Sequence, residues 1–293
     1  MNWEESTIIS NLGDYIFQFD VSTEPFKIET RNYEVVIDED GRRREENFRR
    51  FIKNSIPKFV FSESRQQEMF DNNEYPYDRA MRKLGEITDD KAGIFGEVIL
   101  FTLMEGELGF PLVSHKLSVI EDYEDEQKGA DGLYIGFYDS REFISYGEAK
   151  FHEVKSGAVS DAMESIDEFH GSGGMDEREA ELDVARGNIS QDLEKEQIKR
   201  LMNKVLQPGT NLPILHPVLI AYEKGDYKNI KSSCASRDET IDFIEEIHER
   251  EEFASLVKRW RDKFPNLQGV RMIFFFLRVE DEDNFKKKLD KML

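Results

Sequence analysis

Asp131, Glu148 and Lys150 are the residues of this 293-residue chain best suited to chemistry. They lie in the stretch GADGLYIGFYDSREFISYGEAKFH, Gly129 to His152, with Asp131 heading one strand-like run and Glu148-Ala149-Lys150 closing the next. Two apolar runs, Leu133 to Tyr138 and Phe143 to Tyr146, flank the polar segment Asp139 to Glu142, which is a hairpin signal. Side chains alternate along a strand, so Ile144, Tyr146, Glu148 and Lys150 share one face while Phe143, Ser145, Gly147 and Ala149 share the other. An antiparallel partner starting at Asp131 brings its carboxylate towards Glu148. Two carboxylates beside a lysine suit a hard cation and a water that must be activated.

The elements that must position this trio are legible around it. A helix is expected before it, capped by Asp89 or Asp90, with Ile94, Glu97, Val98, Phe101 and Met104 at helical spacing. Glu97 then lies on or beside an apolar stripe, where an unpaired charge is costly. It is either a stripe-edge acid reaching solvent or a carboxylate turned towards a metal, with Glu105 as its bland neighbour. Leu112 to Ile120 reads as a strand, and the acidic run Glu121 to Glu126 as a solvated turn, since it lacks the glycine and ligand spacing of a calcium loop. Lys128 reads as a surface lysine. A helix over Ser156 to Phe169 follows, then the flexible Gly171 to Gly174 and a helical stretch over 176 to 206 that either packs on the sheet or serves as a partner arm. Ile214 to Tyr222 and Val270 to Val279 are continuous apolar runs, as expected of strands covered on both faces, and Glu239 to Arg261 supplies a crossover helix. Asn284 to Leu293 closes the chain as a short basic helix.

Residues 1–85 read as a separate α+β lobe, with short strands over Tyr15 to Phe19, Phe26 to Ile28 and Tyr33 to Ile37 and a turn at Asp40-Gly41. An Arg-rich helix then stops before Pro57. The fold class expected is α/β, with this α+β lobe before a larger domain over 86–293 that carries a helical insertion at 171–210.

These motifs support a resemblance. An acid on a helix, then G-x-D at a strand start, then E-x-K at the next strand end, is similar to the PD-(D/E)xK superfamily, whose core is a restriction-endonuclease-like mixed sheet flanked by helices. GEVIL, KGADG and SYGEAKFH in this order resemble, more narrowly, the HamA effector family of the Hachiman antiphage system. The resemblance implies a Mg²⁺- or Mn²⁺-dependent DNA nuclease. Glu97, Asp131, Glu148 and the Ala149 carbonyl would hold the metal, and Asp131, Glu148 and Lys150 would carry the catalysis. It also implies pairing with a HamB-like superfamily 2 helicase that keeps the nuclease in check. The other reading is a nuclease-like acidic subunit that binds or inhibits a nucleic-acid enzyme without cutting.

Charge bears on that choice. Sixty-one acids against forty bases give a net charge of −21, which repels a phosphate backbone. DNA must therefore be met by a local basic strip or presented by a partner. Arg42, Arg43, Arg44, Arg49, Arg50, Lys53 and Lys58 form the clearest strip, although a solvated amphipathic helix with Phe48, Phe51 and Ile52 on its apolar side is the preferred reading of them. His152 shares the Lys150 face and is either a phosphate contact or a hydrogen-bonded flank. His115, His170, His216 and His248 lack metal-ligand spacing. No phosphate-binding loop is present, so nucleotide-driven work must belong to a partner. The lone Cys234, the absence of a basic-then-apolar start in MNWEESTIIS and the short apolar runs predict a soluble, cytoplasmic protein.

Overall fold

A computed structural model describes residues 9–24, 28–87, 91–115, 130–152, 154–171, 182, 213–223, 234, 236–249 and 252–279. The acidic run at 121–126, Lys128, most of 171–210 and the expected helix at 284–293 lie outside these residues.

A mixed seven-stranded sheet forms the centre: β1 (Ile16–Glu24), β2 (Ile28–Val35), β3 (Leu112–Ser114), β4 (Gly132–Tyr138), β5 (Arg141–His152), β6 (Ile214–Glu223) and β7 (Arg271–Val279). Its order is β1-β2-β7-β6-β5-β4-β3. The four central strands β2, β7, β6 and β5 run parallel, while β1 and the β4–β3 pair are antiparallel additions at the two sides. This is the expected α/β architecture of a restriction-endonuclease-like sheet with helices on both faces. The apolar runs of β6 and β7 are buried on both sides, as parallel strands between two helix layers require.

One layer holds α1 (Glu45–Val60), α3 (Pro76–Ile87) and α4 (Lys91–Gly106), whose apolar side chains share a core with Phe143, Leu215, Leu219, Ile273 and Phe275, and α2 (Glu63–Asp71) packs beside α1 and α3. The other layer holds α5 (Lys155–His170) and α7 (Phe253–Arg261), packed against Val218, Ile220, Met272, Phe274 and Phe276. Between β6 and β7 the expected single crossover helix is split into α6 (Arg237–Glu249) and α7, with Glu252 leaving helical geometry.

The chain before residue 85 does not stand apart from this sheet. Tyr33 of β2 pairs with Leu277 of β7, and Phe48, Ile52, Ile56 and Phe59 of α1 join the core around α4. The expected boundary at residue 85 thus corresponds to no break in sheet or core. The two strands expected at 26–28 and 33–37 are one strand, β2. The helix α1 also runs through Pro57 to Val60 instead of stopping before it.

Of the seven arginines and lysines weighed as a basic strip or a solvated amphipathic helix, five meet an acid or a ring nearby. Arg43 reaches Glu34 (3.4 Å), Glu45 (2.6 Å) and the carbonyl of Arg278 (2.7 Å), while Arg49 also pairs with Glu45 (3.1 Å). Arg278 closes the cluster on Glu34 at 3.3 Å. Arg42 pairs with Asp40 and Arg50 with Glu46, and Lys53 lies over the Tyr77 ring. These side chains make no continuous basic face. Arg43 and Arg49 serve buried acids, whereas Arg42 and Arg50 stay exposed beside acids of their own.

Candidate active site

The turn between β4 and β5 is two residues long, Asp139 (φ 48°) and Ser140 (φ 62°), as a tight hairpin with right-handed twist demands. It sets the register Ile135↔Ile144, Leu133↔Tyr146 and Gly132↔Gly147, so the next position outward, Asp131, meets the end of β5. There the Asp131 N–H donates to the Gly147 carbonyl at 2.9 Å, and its Oδ2 accepts from the Ala149 N–H at 2.7 Å. The carboxylate replaces a strand partner that β4 no longer supplies. Since N–H and C=O of one strand residue point to the same neighbour, the Ala149 carbonyl faces this same edge.

Glu148 and Lys150 point to the α5 face, where Val218 and Ile220 stand beside them on β6. Lys150 Nζ is 2.7 Å from Glu148 Oε1, with the carboxylate 13% and the ammonium 30% exposed. The ladder to β6 skips Tyr146 and Gly147, opposite His216 and Pro217, because Pro217 has no N–H to give. The gap lies directly before Glu148.

Helix α4 comes down on this end of β5 from the other face. A Cβ on Gly96 would lie 3.3 Å from the Ala149 Cβ, and one on Gly147 only 2.8 Å from Leu100. Both glycines are what the close helix–strand contact requires. Glu97, the next residue, is half-buried on a helix otherwise apolar nearly all round. Glu105 is not the bland neighbour expected: it is buried and accepts from the Leu112 N–H at 3.1 Å.

Tyr134 links these acids and was not legible as a site residue. Its ring lies over Gly132, and its phenol is pushed well above its ordinary pKa by burial and then by the charges of Glu105, Asp131 and Glu97. It therefore keeps its proton among three carboxylates. His152 folds away onto the first turn of α5: its Nδ1 accepts from the Val154 N–H at 3.3 Å, and its ring is where a Cβ on Gly157 would go. His170 and His216, unremarkable in sequence, meet through their Nε2 atoms at 2.8 Å beside Tyr146 and Phe169.

Among the described residues no three His, Cys, Asp or Glu side chains form a ready-made metal cage. Two carboxylates at facing strand ends and a main-chain carbonyl are nonetheless hard oxygen donors. Mg²⁺ commonly takes one or two carboxylates and keeps several waters, so the donor set of Asp131, Glu148 and Ala149 fits it, and fits Mn²⁺, without a third side chain.

The sequence model of the HamA family matches residues 13–293, nearly the whole chain. The chain belongs to the HamA family. Membership gives it a role in Hachiman antiphage defence. The match takes in the helix, hairpin and E-x-K strand end as well as the β1–β2 extension, so this HamA-family chain carries the family's sequence across the sheet. No curated protein matches it. Among the described residues no helix is long and apolar enough to cross a membrane.

Proposed function

We propose that this protein is a Mg²⁺-dependent deoxyribonuclease, the cytoplasmic effector of a Hachiman antiphage complex, restrained by a HamB-like helicase partner. The observation that carries the reading is the convergence of Asp131, Glu148 and Lys150 at one strand end in a chain of the HamA family. Asp131, Glu148 and the Ala149 carbonyl would hold the cation, with Glu97 approaching from α4. Mg²⁺ supplies the charge that polarises a scissile phosphate and makes a water nucleophilic near neutral pH.

The side chains divide the remaining work. Asp131 is fixed by the Ala149 N–H, so its orientation costs nothing further when substrate arrives. Lys150 is held by Glu148 and can donate to a phosphate oxygen as charge builds there. Tyr134, which holds its proton, stays a neutral phenol beside the acids. Restraint by a partner fits a chain of net charge −21, which meets duplex DNA poorly at long range.

The test is plasmid cleavage with Mg²⁺, Mn²⁺ or chelator, with and without the helicase subunit. Divalent-dependent nicking that the helicase gates supports the reading. Co-purification with the helicase and no cleavage under any condition supports instead a non-catalytic binding subunit.

A further inference from the structure

Helices α2 and α3 pack side by side and bring four basic side chains to one cleft. A cleft of about 290 Å³ there is lined by Arg65, Arg79, Arg82 and Lys83, with Phe61, Met69 and Glu74. A second hollow of about 260 Å³ continues it past Asn73, Tyr75 and Asp78. Arg79, Arg82 and Lys83 are three and four residues apart, so helical periodicity turns them to one side of α3. Arg79 grips the Glu74 carboxylate with two donors, at 2.8 and 2.6 Å. Arg65 and Arg82 lie near enough to help hold that carboxyl below its usual range, after the larger effect of the Arg79 hydrogen bonds. The cluster already binds two planar oxyanions on its own surface, Glu74 on Arg79 and Glu68 on Arg65. Such exposed pairs are weak and exchange readily for another anion.

Two further features select the kind of anion. Phe70 and Tyr75, at the α2–α3 connection, are 56% and 71% exposed, the largest exposures of aromatic side chains among the described residues. Arginines that track a backbone beside open aromatic faces suit unpaired nucleotides, whose bases can stack as their phosphates are held. A paired duplex offers no free base face to these rings.

Lys83 is close enough to His115 for its charge to act on that imidazole, and His115 stacks on Phe59 at 4.4 Å. His115 follows Ser114, which pairs with Leu133, two residues from Asp131.

We propose that the α2–α3 cleft is a docking groove for single-stranded nucleic acid, its phosphates on Arg65, Arg79, Arg82 and Lys83 and a base on Tyr75. The proposal rests on the nuclease reading for its purpose, but its test does not.

The probe is a labelled oligothymidylate of about 16 nucleotides, compared with a duplex of equal length over a salt series, using the full chain. The parent should bind the single strand more tightly than the duplex. Arg65→Glu/Arg82→Glu should weaken single-strand binding about 10-fold or more and flatten the salt slope by about one to two units. Tyr75→Ala should weaken it about 5-fold or more, with the duplex little changed. Arg42→Glu/Arg50→Glu makes the same charge change on exposed residues elsewhere and should leave binding as it was. Equal loss from both double variants shows bulk charge alone and overturns the groove, as does no binding by the parent. Loss of helicase capture with unchanged oligonucleotide binding marks a protein surface and also overturns it. Glu148→Ala separates the two proposals: tight binding by parent and variant, with no cleavage by the parent, removes the nuclease reading and leaves the groove standing.

Discussion

Lys150 Nζ sits 2.7 Å from Glu148 Oε1 on the α5 face of β5, two residues apart and therefore on the same side of the strand. The pair is as short as the Ala149 N–H bond to Asp131, and it ties the lysine's position to the acid's.

Losing either end should remove chemistry and spare the fold. Lys150→Ala and Glu148→Ala are expected to lower Mg²⁺-dependent cleavage by about 10²–10³-fold, the scale for one charge-stabilising group, while the circular dichroism spectrum stays that of the parent. Cleavage at the parental rate by either variant rules out the assignment.

Glu97 is half-buried on α4 beside the Gly96 contact with Ala149. Glu97→Gln should raise the Mg²⁺ concentration needed for half-maximal activity several-fold. Glu164, exposed on α5, is the proper comparison, because Glu105 is buried and bonded to the Leu112 N–H. Matching Mg²⁺ titrations for Glu97→Gln and Glu164→Gln would sink the ligand role.

The fully buried Glu34 lies between Arg43 and Arg278. Glu34→Ala should cost about 3–5 kcal/mol in urea unfolding, since two buried guanidinium groups lose their acid. Arg50→Ala breaks only an exposed helix pair and should cost about 0.5 kcal/mol or less. Similar midpoints for the two variants would contradict the buried cluster.

His115 is pushed down to about 3, chiefly by burial and further by Lys83, against a small opposing effect of the Phe59 backbone. Its folded-state value lies below the unfolded one, so the unfolded chain takes up the proton first as the medium is acidified. Stability should therefore fall as pH drops from about 6.5 towards 3. His115→Phe keeps a ring on Phe59 and should flatten that part of the stability profile. A profile unchanged in slope between those limits would argue against a buried neutral imidazole.

How much was legible depended on how local the deciding interaction is. The hairpin, the shared face of Glu148 and Lys150, the buried strands β6 and β7 and the α/β class follow from apolar periodicity and side-chain alternation, which neighbouring residues impose on one another. The order of helix, strands, helices, strand, helix and strand needed nothing more, save that the last helix is two.

Distant contacts decided the rest. Residues 1–85 look self-sufficient in sequence because β1, β2 and α1 are each well patterned, yet β2 finds its partner in β7 near the far end of the chain. The Arg42 to Lys58 segment reads as a basic strip only while its acids are unknown: Arg43 meets Glu34 and the Arg278 carbonyl, 235 residues away in sequence. His170 and His216 have no ligand spacing and still meet at 2.8 Å. The arginines of α2 and α3 converge only after the two helices pack. Sequence by itself determined which surfaces had to be covered, because burial follows pattern. Tertiary structure alone decided which charges cancel and which remain for a ligand, because Coulomb attraction depends on distances between residues far apart in the chain.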